Sequence, residues 1–362
     1  MAKTSRRDPM QTPDTPSTLE INNMQGTNTL RWTLLILALL VLFAVNLSLG
    51  SVRIPLSEII HILFTGESTQ PVFADIVWDF RLTKAFTCVL AGAALAAAGL
   101  QMQTLFRNAL AGPDVLGLSS GASLAVALIF MSPSAGVPFL SNPHPLLLSL
   151  AASIGCSVVL IVMLVVARKL EDHVSLLIVG LMVGAATSSI VSVLQYLSKA
   201  EEMQVYIIWT FGSLGGLNWL EIKILAVVLF AGAALALSQI KSLNAWLLGD
   251  HYARTLGVNV GRSRYLIILS ASLLTGGVTA FCGPIAFVGL AVPHLTRLVI
   301  NTHDHKTLLP AVLVTGALLL LFCDIISHLP GTAYTLPVNA LTALIGAPVV
   351  IWIIVKNKSV RV

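Results

Sequence analysis

Long apolar runs separated by shorter polar stretches make up most of this chain. Ten of them fall at 31–50, 82–105, 114–132, 145–168, 174–197, 219–239, 264–282, 285–300, 307–323 and 338–355, the eighth being short. A helix needs about 20 apolar residues to cross hydrocarbon. The pattern therefore predicts an all-α polytopic membrane protein with about ten transmembrane helices. The stretch from Arg81 to Leu124 sets its character. An Ala/Gly-dense helix leads through the polar loop Arg107-Asn108-Ala109-Leu110-Ala111-Gly112 into a second helix, which opens on Pro113-Asp114 and carries Gly117, Ser119, Ser120 and Gly121. Small residues let helices approach closely in lipid, whereas a water-soluble core fills such a face with larger aliphatic side chains.

The polar intervals differ in kind. Residues 1–29 carry Pro9, Pro13 and Pro16 and no apolar signal-peptide core. They read as a disordered cytoplasmic tail ahead of an uncleaved first helix, with 30–357 as one transmembrane domain. Segments 51–80 and 198–218 fall on the far side from this tail. Within the second, 202–216 (EMQVYIIWTFGSLGG) reads as an interfacial helix with Tyr206 and Trp209 at headgroup level. The longest loop on the tail side, 240–263, holds two short helical pieces, around Leu243–Leu248 and Asp250–Leu256, broken by Gly249 and Gly257. Exposed leucines and Trp246 beside a membrane either lie on lipid or dock on a soluble partner, and docking is the preferred reading.

Composition and charge sharpen this. Only 10% of residues are charged, against about a quarter in soluble domains, and mean hydropathy is +0.89. Of the 21 Lys and Arg residues, sixteen sort to the tail side. The other five are Arg53, Arg81, Lys84, Lys199 and Lys223. The bias predicts both termini in the cytoplasm, and it accounts for the net charge of +5 without nucleic acid. The four cysteines lie in apolar runs without metal-ligand spacing and read as small buried hydrophobes.

Candidate chemistry is sparse. Gly180, Gly184, Ser188 and Ser192 recur every fourth residue, with Thr187 and Gln195 alongside, on one slowly drifting helix face. That face serves as a close helix seam or as the weakly polar wall of a path, and the two coincide if the path runs between subunits. Acidic groups are nearly absent from the spans: Asp114 sits at a helix N-cap position and Asp324 closes the ninth span. Ion-coupled transporters keep ionisable groups inside the membrane, and no such relay is visible. No phosphate loop occurs either. His294 falls near a helix end, and His303, Asp304 and His305 read as a solvated loop without zinc spacing. Neither a cofactor site nor a catalytic cluster can be assembled. A nucleotide-independent secondary transporter or channel, a membrane enzyme and a scaffold stay open as rivals at this point.

The segment RLTK followed by AGAALAAAGLQMQTLFRNALAGPDVLGLSSGASL resembles the signature of the FecCD family. LGVNVGRSR, GPIAFVGLAVPHLTRL, DHKTLLP, TGALLLLFCD and LPVNALTALIGAPVVIW resemble its later motifs in the same order, over roughly residues 31–355. The resemblance implies a type II ABC-importer permease for iron-siderophores, haem or cobalamin in the inner membrane. It also implies a homodimer, or a heterodimer with a like subunit, two copies of a separate ATPase beneath, and a periplasmic or lipid-anchored binding protein above. By position, Arg81, Lys84 and His328 correspond to outer basic residues for docking of the binding protein, with Lys84 and His328 standing where Arg is usual. Asn108 and Leu110 match a cytoplasmic gate loop, with Ala109 in place of Pro, and His173 and Val174 match a second gate position. Gly180, Gly184, Ser188, Ser192 and Gln195 would line the path. Leu243, Trp246, Leu248, Asp250, Arg254, Leu256 and Gly257 would belong to the helices coupled to the ATPase.

Overall fold

A computed structural model describes residues 18–50, 52, 54–66, 68, 70–131, 145–170, 172–328 and 335–356. Its described residues form fifteen α-helices: α1 (Thr18–Ser48), α2 (Leu56–Thr65), α3 (Pro71–Asp75), α4 (Thr83–Leu105), α5 (Leu118–Met131), α6 (Pro145–Lys169), α7 (His173–Leu197), α8 (Ala200–Thr210), α9 (Trp219–Ser238), α10 (Ile240–Trp246), α11 (Asp250–Thr255), α12 (Val260–Cys282), α13 (Val288–Ile300), α14 (His305–Ser327) and α15 (Val338–Lys356). A π-helical segment, Ile76–Leu82, joins α3 to α4, and a 3-10 turn, Pro113–Leu116, precedes α5.

All ten apolar runs become helices, but not all of equal length. By length and composition α1, the run Pro71–Leu105, α6, α7, α9, α12 and α14 can each cross a membrane, while α5, α13 and α15 are shorter apolar helices. The expected spans 114–132 and 285–300 shrink for a local reason. Gly117, at φ 73°, ends the 3-10 turn before α5, and Phe287, at φ 66°, breaks the backbone before α13. Irregular backbone at membrane depth is tolerated where protein rather than lipid surrounds it, and Pro113, Leu116, Gly117 and Ile285 are all buried. At the N-terminal end α1 begins at Thr18, so 18–29 is helical, while 1–17 lie outside the described residues. No proline follows Pro16 there, and extending a helix already nucleated by the apolar run costs little.

The Ala/Gly-dense α4 forms the centre, packed by α14, α12 and α13. Its glycines meet backbone. A Cβ on Gly99 would lie 1.7 Å from the Gly289 carbonyl oxygen, and one on Gly92 would lie 2.2 Å from that of Gly316. Burial is graded outward: 78% of the most apolar window of the Pro71–Leu105 run is buried and 72% of that of α12, against 17% for α7 and 11% for α1. The two peripheral helices thus keep apolar faces for lipid or for other subunits.

Candidate functional site

The three outer basic residues named from the sequence converge on one cavity of about 350 Å3, lined by Leu49, Gly50, Val52, Ile76, Phe80, Arg81, Lys84, Gly215 and His328. Arg81 lies in the π-helical segment and Lys84 one turn further on, so both face the end of α1. The Arg81 side chain is committed inward. Nη1 donates to the Leu47 carbonyl at 2.7 Å and to that of Ser48 at 3.1 Å, and Nη2 donates to that of Val52. The last carbonyls of a helix have no intrahelical donors, and a cation there also meets the negative end of the helix dipole. Arg81 is therefore the C-terminal cap of α1 and only 4% exposed.

Lys84 is committed too. Its Nζ pairs with Asp324 Oδ2 at 2.9 Å, and Asn46 Nδ2 donates to the same oxygen at 2.7 Å. Because an ammonium can only donate, the 3.3 Å contact of Lys84 Nζ with His328 Nε2 makes that nitrogen the acceptor. The ring proton then sits on Nδ1, which donates to the Asp324 carbonyl at 2.9 Å. Asp324, which the sequence places at the close of the ninth span, is buried. Asp324 does not close its helix at the surface but lies within α14, 2% exposed, in an ion pair with α4.

At the opposite end of the bundle, the loop after α4 is tightly turned. Arg107 adopts φ 46°, Asn108 Oδ1 accepts from the Leu110 N–H at 2.9 Å, and Ala111 N–H donates to the Asn108 carbonyl. Leu110 is left 43% exposed at the tip. Two side chains of α13 brace this loop and the end of α4 that leads into it. His294 Nε2 donates to the Ala109 carbonyl at 2.8 Å, and Arg297 Nη1 donates to Gln103 Oε1 at 3.1 Å. The second gate position opens α7, where Asp172 caps the helix by accepting from the Ser175 N–H. Val174 is exposed there, and the side chain of His173 lies outside the described residues.

The small-residue face of α7 divides in two. Gly180 lies at a seam within the chain: a Cβ on it would come within 2.0 Å of the Val115 carbonyl in the 3-10 turn. Gly184 sits beside Ser120 of α5, Gln195 is half-buried, and only Ser188 and Ser192 of the five residues are exposed. In the expected interfacial helix, Tyr206 of α8 is 4% exposed, hydrogen-bonded to Ser123 of α5 and stacked on Trp209, so its side chain packs against protein while Val205 and Ile208 stay exposed.

The loop between α9 and α12 folds into α10 and α11 as the sequence suggests, with Gly249 at φ 96° and Gly257 at φ 80°. Trp246, expected to be exposed, is buried with Leu243, and its Nε1 donates to Ser263 Oγ at 3.2 Å. These two side chains root the loop in the bundle. Leu248, Tyr252, Arg254 and Leu256 stay exposed. Asn244, between the roots, clasps α14. Its Nδ2 donates to Asp304 Oδ1 at 2.6 Å, and its Oδ1 accepts from the His305 backbone N–H and from His305 Nδ1. The backbone N–H of Lys306 and the Asn244 amide hold the Asp304 carboxyl below the usual carboxylate range. His305, expected to be solvated, is fully buried, with Nε2 at 2.9 Å from Thr104 Oγ1 on α4.

Residues 37–356 match the model of the FecCD transport family. The chain belongs to that family. The FecCD chain is 34% identical over 328 residues to the hemin transport system permease protein HmuU of Yersinia pestis, covering 90% of its own length and 97% of the relative's. It is 36% identical to the vitamin B12 import system permease protein BtuC of Vibrio parahaemolyticus, over 87% and 95% of the two chains. With the Fe(3+) dicitrate transport system permease protein FecD of Escherichia coli it shares 35% identity, over 78% and 86%. A solved metal-chelate type ABC transporter in an inward-facing conformation superposes with a TM-score of 0.77 at 27% identity, over 91% of this chain and 99% of that one.

Proposed function

We propose that this FecCD chain is the membrane-spanning subunit of an ATP-driven importer that carries an iron-siderophore, haem or cobalamin inward by alternating access. It works as a homodimer or beside a like subunit, with both termini in the cytoplasm of the cell whose inner membrane holds it. ATP is hydrolysed by two separate ATPase subunits, and a periplasmic or lipid-anchored binding protein delivers the cargo. Relatives that carry hemin, vitamin B12 and ferric dicitrate support the cargo class.

The observation that carries the reading is the α10–α11 loop. It is rooted by Leu243 and Trp246 and presents Leu248, Tyr252 and Leu256, an apolar ridge that water does not favour and a soluble subunit can cover. Motion of a docked ATPase passes through Asn244 to His305, then through Thr104 to the end of α4, where Asn108 and Leu110 form the gate with His173 and Val174. Ser188 and Ser192 face the path on the exposed side of α7. At the other end, the cavity over Arg81, Lys84 and His328 receives the binding protein, with Asp324 offsetting the charge of Lys84. The test is Leu248→Asp with Leu256→Asp in the full chain. The ATPase is expected to stop co-purifying and ATP-driven uptake to be lost, while the unfolding temperature of the permease stays unchanged. Retention of both ATPase and uptake would overturn the reading.

A further inference from the structure

A second cavity, of about 530 Å3, opens where the end of α6 meets α11 and the start of α12. Four arginines line it, Arg168, Arg254, Arg262 and Arg264, and its described lining includes no acidic residue. Two of them are fixed by their surroundings. Arg168 lies over the Tyr265 ring at 5.3 Å, which orients its planar guanidinium. Arg264 is 5% exposed, and its Nη1 donates to the Leu170 carbonyl at 2.7 Å, tying the end of α6 to α12. The rest of the wall is apolar, from Leu164, Ala167 and Val260.

The approach to this cavity is apolar as well. Ile154, Val158, Ile161 and Val165 are exposed on α6 at successive spacings of four, three and four residues, and Arg168 follows three residues later on the same face. The exposed apolar side of the helix thus runs directly into the four guanidinium groups at its end. A phosphate with acyl chains attached satisfies both halves of this surface, and basic pockets between membrane helices are suited to such headgroups. A free anion would leave the Ile154–Val165 stripe without a role. An acidic protein segment would make no use of it either.

We infer that this cavity binds the phosphodiester headgroup of an anionic phospholipid, whose chains lie along the exposed face of α6. The inference goes beyond transport and requires only that α6 spans the bilayer. Its test is native mass spectrometry of the purified full chain in detergent, titrated with phosphatidylglycerol or with phosphatidylcholine of the same acyl chains, and with inorganic phosphate as a soluble competitor. The wild type is expected to retain phosphatidylglycerol about tenfold better than phosphatidylcholine, and Arg168→Gln with Arg262→Gln to lose that preference to within about twofold. Arg168→Lys with Arg262→Lys, which keeps the charge, is expected to keep most of it. If the double Gln variant does not fold, Arg262→Gln alone is expected to lose roughly threefold. Equal lipid preference in wild type and folded Gln variants would overturn the inference, and so would displacement of the lipid by inorganic phosphate. Loss of the ATPase from the Gln variant with lipid retention unchanged would mark the cavity as a protein contact and overturn it too. All lipid readouts are made on the permease alone, so they stand or fall separately from the transport reading.

Discussion

Removing one half of the Lys84–Asp324 pair leaves a charge buried without its counterion, which costs far more than removing both halves. Lys84→Met is therefore expected to destabilise the protein by about 3–5 kcal/mol, and Lys84→Met with Asp324→Leu to recover most of that loss. Thermal unfolding of the purified variants in detergent checks both. Arg81→Gln strips donors from the Leu47, Ser48 and Val52 carbonyls at the end of α1 and is expected to cost about 1–3 kcal/mol, with Arg81→Lys intermediate. Charge reversal at either residue would therefore disturb the fold before it reported on docking, and His328→Ala is the cleaner probe of a binding-protein contact. None of this was legible locally. The sequence shows Arg81 and Lys84 one turn apart beside an apolar run, but Lys84's partner Asp324 stands far along the chain, and only the fold brings the two together. The burial of His305 depends likewise on Asn244, 61 residues away.

Elements were easier to read than contacts. Apolar length and small-residue density identified α4 and its neighbours because hydrocarbon imposes both requirements on any spanning helix. The same rules do not indicate where backbone breaks, so α5 and α13 came out shorter than their apolar runs. They also do not say which glycines face a neighbour. Gly99→Val pushes its side chain into the Gly289 backbone and is expected to cost more than 3 kcal/mol and to abolish assembly, whereas Gly216→Val, with open space at its Cβ, is expected to be nearly neutral. Yield of monodisperse protein and unfolding temperature distinguish the two. The sequence of the α10–α11 loop predicts the two short helices that form, but it does not place Trp246, because an indole that roots a loop and one that greets a partner look alike in sequence. Asn244→Ala cuts the clasp to Asp304 and His305 while leaving Leu248 and Leu256 in place. It is expected to keep the ATPase bound and hydrolysing ATP while uptake falls at least tenfold, a uncoupling of more than 1.4 kcal/mol.

At the scale of the molecule, the chain is a bundle centred on α4 and α12, with polar clasps at its two ends and weakly polar helix faces left for partners. It holds no phosphate loop, and its described buried acids serve the fold, Asp324 in an ion pair with Lys84 and Glu221 in the capping box of α9. In the proposed function the work of transport enters from outside, through the loop that Leu243 and Trp246 fix to the bundle. The most direct measurement is cargo uptake into proteoliposomes that contain this permease and carry the binding protein outside, with and without the ATPase subunit and ATP enclosed. The account predicts accumulation only when ATPase and ATP are both present, and its loss in Leu248→Asp with Leu256→Asp. Accumulation by the permease in ATP-free vesicles would contradict it.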